Sequence, residues 1–480
     1  MISFLVNEKE VALDLCDGRT TLKTVRSELH LRGAKESCGE GDCGACMVLL
    51  GESIVDNIMR YKAVNSCLLP TGDLSGKHVV TIEGLNQDRL SLIQETFAEE
   101  FAAQCGFCTP GFIIAVTAFL LNTPDLDREE AIQAVSGNLC RCTGYGSIKR
   151  AIFAILKKIP ATEFKKTKPG TIQRTKFLIK ANVLPLYFVA VHEKLRVEAK
   201  QETPVARGNI VVGGGTDLVV QKRGTLPNEG LYFLSQRKYL REIYLDNGKC
   251  FIGGAVTIEE LRTSKIFSKI FPDGKKVLEL IASLPIRNRA TVAGNIVNAS
   301  PIGDMTVLCL ALDATLILFD GTKTREIPLR KFYKGYKDID KEENEILEWI
   351  RFDVPDKNTH LHFEKVSKRK HLDIASVNTA ICIKSGLGGK IDEIGVSAGG
   401  VGPIPMYLAQ TCEFLKDKKI EKTTIEEALK IADSEISPIS DVRGSEKYKR
   451  LLLRQLILTH FTKAPSTNNL LVSPPDFDNL

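Results

Sequence analysis

The chain has 480 residues, 43% hydrophobic and 26% charged, with a formal net charge of +6 and 13 cysteines. That length exceeds what one hydrophobic core supports, so several domains are expected, and the composition excludes a disordered or collagen-like chain. The odd cysteine count, and a Met1 that runs straight into strand-like I-S-F-L-V without a secretory leader, argue against a disulfide scaffold and for a cytoplasmic protein.

In chain order, I-S-F-L-V, the polar N-E-K-E and V-A-L-D-L predict a hairpin; T-L-K-T-V-R-S-E-L predicts a helix with Leu22, Val25 and Leu29 on one face. Cys38, Cys43, Cys46 and Cys67 follow, spaced C-x4-C-x2-C with the fourth after twenty residues. This is the plant-type ferredoxin spacing of a 2Fe-2S cluster, although the spacing also suits zinc. The intervening S-C-G-E-G-D-C-G-A-C favours the cluster, because glycines let backbone N–H groups approach the sulfurs. M-V-L-L after Cys46 reads as a strand and completes a β-grasp domain over 1–84.

The second group is Cys105, Cys108, Cys140 and Cys142: C-x2-C, thirty-one residues, then C-x-C. Cys140 and Cys142 stand too close for a disulfide with each other. Around them the sequence is helical. S-L-I-Q (91–94) has capping-box form, Asp127 and Glu130 repeat it, Pro110 suits a first helical turn, and Ser147 opens another helix. The apolar run 112–121 is too short to cross a bilayer and reads as a buried helix. Both cysteine pairs lie in loops that open helices, where unpaired N–H groups favour anionic sulfur. A helical-bundle 2Fe-2S domain is expected over 85–158, with a zinc staple as the alternative. Cys16, Cys250, Cys309, Cys382 and Cys412 are isolated and read as small hydrophobes.

The Lys, Thr, Pro and Gly of 157–176 follow no period, so 159–176 is expected to be an exposed linker, not a nucleic-acid surface. Beyond it, I-V-V-G-G-G-T-D-L (210–218) suggests a strand entering a loop that approaches a ligand. It lacks G-x-G-x-x-G spacing and a helix opening after it, which disfavours a Rossmann fold. C-F-I-G-G-A-V-T-I-E-E-L (250–261) and R-A-T-V-A-G-N-I-V-N-A-S-P-I-G-D (289–304) supply two more glycine loops. Three such loops on strands could surround a pyrophosphate, or could be ordinary turns of an α+β domain.

Q-C-G-F-C-T-P-G-F (104–112) and S-G-N-L-C-R-C-T-G-Y (136–145), following C-G-E-G-D-C-G-A-C and A-V-N-S-C-L-L-P, resemble the paired 2Fe-2S modules of the molybdenum hydroxylases, over residues 1 to about 155. V-V-G-G-G-T-D-L and I-R-N-R-A-T-V-A-G-N-I-V-N-A-S-P-I-G-D are similar to the family's FAD-binding segment, and V-S-A-G-G-V-G-P-I-P to its C-terminal flavoprotein domain. The resemblance implies a multidomain α+β chain with a two-part, non-Rossmann α+β FAD-binding domain (177–354), a C-terminal α+β flavoprotein domain (357–470) and a tail (471–480). It places FAD contacts on Val211, Val212, Gly213, Gly214, Gly215, Thr216, Asp217 and Leu218, on Thr291, Val292, Ala293, Gly294 and Asn295, and on Asp304. It sets Lys365 near the adenine.

The same resemblance implies electron transfer without catalytic residues of substrate chemistry in this chain. A large partner chain carrying a molybdenum cofactor would hydroxylate a purine such as xanthine, with Gln104 near its pterin. Electrons would pass through the helical cluster, the ferredoxin-like cluster and FAD to NAD+. A dimer of heterodimers is implied, with no nucleic acid or membrane. The alternatives are a self-sufficient iron-sulfur flavin reductase and a subunit of a related aldehyde or N-heterocycle hydroxylase. Three residues depart from the family pattern: Ser37 stands where Gly is usual, Ile281 where an aromatic residue often faces the flavin ring, and Pro285 where Gln commonly precedes I-R-N.

Overall fold

Apolar residues at Ile2, Phe4 and Val6 face a core, and β1 (Ile2–Val6) pairs antiparallel with β2 (Lys9–Leu13) across a tight turn in which Asn7 adopts φ +54°. The turn is shorter than N-E-K-E. β3 (Met47–Val55), β4 (Ile58–Asn65) and β5 (His78–Val80) complete a sheet in the order β2-β1-β5-β3-β4, with β1 and β5 parallel. Thr20 caps a helical segment that begins at Thr21–Lys23 and widens into a π turn at Thr24–Glu28. Leu22 and Val25 are buried in this core and Leu29 packs on it, as their spacing predicts. This computed structural model describes residues 2–14, 17–55, 58–195 and 209–463, so Cys16 and the tail 471–480 lie outside the described residues.

The sheet buries one imidazole. The Asn7 carbonyl can only accept, so His78 Nε2–H donates to it at 2.7 Å, and Nδ1 accepts from the Tyr61 hydroxyl at 2.8 Å. Burial pushes His78 down from 6.5 to about 4, against the opposing pull of the Asn7 carbonyl. A folded-state value below the unfolded one means that stability is full above pH 6.5 and is lost as pH falls toward 4, by about 3 kcal/mol in all. Unfolding midpoints measured across that window should therefore fall with acid, and His78→Gln should flatten the dependence.

In the helical region Ser91 and Gln94 form the expected capping box for Leu92–Glu99, and Asp127 caps Arg128–Ala134. Thr109–Asn122, with Pro110 in its first turn, is buried from Gly111 to Leu121 and forms the centre of the bundle. The fourth helix, Gly146–Lys158, starts one residue before Ser147.

The expected linker 159–176 keeps many exposed residues but is not irregular chain. It folds as the helix Ala161–Lys166 and the start of Ile172–Lys180, with Phe164 fully buried. The Arg174 guanidinium lies over the Phe164 ring at 3.7 Å and donates to the carbonyls of Leu120 and Thr123, at 2.9 and 2.8 Å. It thereby satisfies orphan carbonyls at the end of the central helix. The helices are too short to show a period, and their anchor is a charged residue. Leu178, Val183, Leu184, Phe188 and Val191, expected in the FAD-binding domain, pack into this same core.

The described chain divides into two units. One comprises the residues up to 195, 209–236 and 283–290; the other comprises 237–282 and 291–463. The expected FAD segment is thus shared between them. In the second unit, five strands run in the order Thr324–Pro328, Thr315–Phe319, Ile346–Asp353, Lys249–Gly253, Ile243–Asp246. A second sheet orders Thr359–Val366, Val377–Ser385, Ile391–Gly399 and Met406–Tyr407, and the helices Ala409–Leu415, Lys422–Glu435 and Glu446–Lys463 belong to the same C-terminal region. The architecture is the expected multidomain α+β one. Among the described residues, no helix is long and apolar enough to cross a membrane.

Candidate metal and cofactor sites

The first cysteine loop is wound by Gly39, Gly41 and Gly44, at φ +73°, +83° and +69°. The sulfurs come in pairs: Cys38 is within hydrogen-bonding reach of Cys43, and Cys46 of Cys67. The hydrogen bond with Cys43 holds the Cys38 thiol down at about 4, against burial and helped by the N–H groups of Glu40, Cys43 and Asp42; Cys43 is pushed up in turn. The Glu40 N–H donates to the Cys38 sulfur at 3.4 Å, a hydrogen bond that a metal-bound thiolate also accepts.

The second group also pairs. Cys142 and Cys105 lie 3.5 Å apart, and Cys108 meets Cys140. Cys108 occupies the N-cap of the central helix, as expected, while Cys140 and Cys142 lie in the loop before Gly146–Lys158. Thr143 Oγ1 reaches the Cys140 sulfur at 3.1 Å, and the Cys140 N–H donates to the Tyr145 hydroxyl at 3.1 Å. Among the described residues, no three His, Cys, Asp or Glu side chains converge on one point as a single ion requires. The two pairs in each group suit two irons, each held by two thiolates, as in a 2Fe-2S cluster.

The two loops touch. Leu139 N–H donates to the Cys43 carbonyl at 3.0 Å, joining a ligand of the first group to the neighbour of Cys140. Backbones meet here at glycines: a Cβ on Gly111 would lie 2.2 Å from the Gly44 carbonyl oxygen, and one on Gly44 would lie 2.5 Å from that of Gly137. Gly137 in turn leaves no room beside Pro285, which sits in the first turn of Leu284–Arg287. Sequence spacing could not reveal this contact. The outer end of the second loop is open: Cys105, Cys142 and Gln104 are exposed, as are the apolar Phe101, Phe107 and Leu139.

The glycine loop Val211–Leu218 differs from its expected form. Strand Ile210–Val212 pairs in parallel with Leu231–Phe233, and a short helix, Thr216–Gln221, does open after Gly215, whose φ is +79°. The two-stranded sheet is nevertheless not a doubly wound one. Gly214 packs against backbone, since a Cβ would lie 2.0 Å from the Arg289 carbonyl oxygen. Arg289 returns Nε and a terminal nitrogen to the Gly214 carbonyl at 3.3 and 3.0 Å. Its other nitrogen pairs with buried Asp73 at 2.5 Å, which Lys77 also meets at 2.8 Å. Arg289 lies inside the I-R-N-R-A-T segment singled out above, whereas Asp73 carried no sequence signal.

In the second unit, Thr291–Asn295 is not a loop on a strand. Thr291 caps the helix Val292–Val297, its hydroxyl accepting from the Gly294 N–H at 2.9 Å. Asn295 Oδ1 accepts from the Thr306 N–H at 3.2 Å. Asp304 opens the helix Asp304–Ala311 and pairs with Lys365 at 2.7 Å, so two residues expected separately form one buried unit. Asn378 Nδ2 also donates to Asp304, while Asn378 Oδ1 is buried without a hydrogen-bond partner. Within the second unit, a helix start beside an unpaired buried acceptor suits a polar ligand. Ile281 is buried, 6% exposed.

Four family descriptions match the chain: a 2Fe-2S iron-sulfur cluster binding domain over 4–70, a [2Fe-2S] binding domain over 81–153, an FAD binding domain in molybdopterin dehydrogenase over 187–355, and a CO dehydrogenase flavoprotein C-terminal domain over 362–464. Xanthine dehydrogenase of Emericella nidulans is 28% identical over 87% of this chain and 35% of its own length. Aldehyde oxidase 1 of Bos taurus is 28% identical over 94% of this chain and 38% of its own. The chain therefore spans little more than a third of these relatives. Among solved structures, a cyanide-inactivated Cu,Mo-CO dehydrogenase superposes with TM-score 0.51 at 25% identity, covering 54% of this chain and 91% of that one.

Proposed function

The chain belongs to the molybdenum hydroxylase family and carries its paired 2Fe-2S domains and its flavin-binding domains, and on that premise we propose that it is the electron-transfer subunit of a hydroxylase whose molybdenum centre lies on a partner chain. Cys38, Cys43, Cys46 and Cys67 hold one cluster; Cys105, Cys108, Cys140 and Cys142 hold the other. Val211–Leu218, Thr291–Asn295 and Asp304, with Lys365 beside it, hold FAD. When bound, these groups relay single electrons and collect them in pairs for a two-electron acceptor.

The observation that carries the reading is the hydrogen bond from Leu139 N–H to the Cys43 carbonyl, which sets one cysteine loop directly on the other at 3.0 Å. The exposed rim of Cys105, Cys142, Phe107 and Leu139 supports electron entry there from the partner, with Gln104 at its edge. The proposed substrate is a purine such as xanthine and the proposed acceptor NAD+. The similarity to an aldehyde oxidase supports an aldehyde as the second reading. Ile281 gives the flavin aliphatic packing in place of a stacking ring.

Anaerobic titration of the isolated chain with NADH, then dithionite, followed by visible absorbance, tests the acceptor. Bleaching of flavin and cluster bands by NADH is the expected result; bleaching by dithionite alone would remove NAD+ from the scheme and leave oxygen, a quinone or a carrier protein.

A further inference from the structure

We propose that a cleft beside the ferredoxin-like cysteine loop, lined by Arg19, Lys23 and Arg223, binds a small oxyanion of the phosphate class and thereby tunes the adjacent cluster. The cleft has a volume of about 140 Å³ and lies between the segment Gly18–Lys23 and the segment Val219–Pro227. The two segments meet at its floor: a Cβ on Gly18 would lie 2.1 Å from the Leu226 carbonyl oxygen, so the two backbones are in contact. Sites for organic ligands occupy roughly 300–1,000 Å³, so this one suits an inorganic anion and excludes a nucleotide.

The donors are oriented by their outer ends. A terminal nitrogen of Arg19 holds Glu28 at 2.5 Å, and Arg223 holds Glu36. Neither carboxylate lines the cleft. Arg19 Nε is buried without a hydrogen-bond partner, and among the described residues Lys23 has no ion pair. A buried guanidinium N–H left unpaired is rare, and an oxyanion accepts from it in the geometry that Arg is built to offer.

Arg223 joins the cleft to the redox site. A Cβ on Gly39 would lie 2.2 Å from its Nη1, which places the guanidinium against the residue that follows Cys38. Anionic charge added in the cleft opposes the extra electron of a reduced cluster, so a bound oxyanion lowers that cluster's reduction potential. This consequence rests on the iron-sulfur reading; the anion site does not.

Calorimetric titration of the full chain, with its clusters and flavin, uses sodium phosphate against sodium chloride at matched ionic strength. Saturable one-to-one binding of phosphate alone is expected, with affinity at least tenfold weaker in Arg19→Gln. Lys23→Gln, at an exposed position that cannot compromise folding, should weaken it as well. Heats equal for the two salts, or phosphate affinity unchanged in both variants, would overturn the site. A redox titration followed by electron paramagnetic resonance should show the ferredoxin-like signal shifting to lower potential with phosphate. Binding without that shift would overturn the tuning, and a chain without iron-sulfur signals would overturn the function proposed above while calorimetry still decides the anion site.

Discussion

Replacing Cys142 with serine should abolish reduction of the flavin by the partner's substrate and leave reduction by NADH intact. Cys142 is exposed and lies 3.5 Å from Cys105, so serine removes a thiolate without opening a cavity in the apolar core. Cys140 serves less well, because it is buried in the hydrophobic core of the helical region and its loss would mix packing with ligation. After dithionite reduction, electron paramagnetic resonance should show one iron-sulfur signal in place of two. Stopped-flow absorbance then separates the two directions of flavin reduction. Survival of both routes would mean that electrons do not pass through the helical cysteine loop.

Truncation of Asp73 to alanine should cost about 3–5 kcal/mol, because it strands two buried cations, Arg289 and Lys77. Burial alone would push this carboxyl up; Arg289 and Lys77 outweigh burial and hold it at about 2, below the usual 3.8. The depressed value contributes about 2 kcal/mol that is present above pH 3.8 and lost as pH falls through about 2. Arg289 also ties down the Gly214 carbonyl, so the glycine loop should loosen when its counter-ion goes. Two measurements check this: denaturant unfolding, and the fraction of FAD retained through gel filtration. Asp73→Asn, which keeps the shape and loses the charge, should fall between the two proteins. A loss under about 1 kcal/mol with FAD fully retained would show that Asp73 does not secure the loop.

Corrections to the sequence reading have two causes. Residues 159–176 look like a linker because Arg174 reads as surface charge, whereas its burial depends on carbonyls of Leu120 and Thr123, more than fifty positions away. The helix after Gly215 and the helical turn at Thr291–Asn295 are short, and short elements leave little periodic trace.

The sequence by itself determined the features that depend on neighbours along the chain. These are the two cysteine spacings, the glycines that turn the first loop, the caps at Ser91 and Asp127, and the buried central helix; each rests on local φ/ψ preferences, local hydrogen bonds or a run of apolar side chains. Only the tertiary structure decided how the cysteines pair, that the Cys43 carbonyl meets Leu139, that Gly111 must be small, and that Asp73 secures Gly214 through Arg289. Apart from the Cys38–Cys43 pair, those contacts join residues tens to hundreds of positions apart, and close packing selects them only after distant segments have come together.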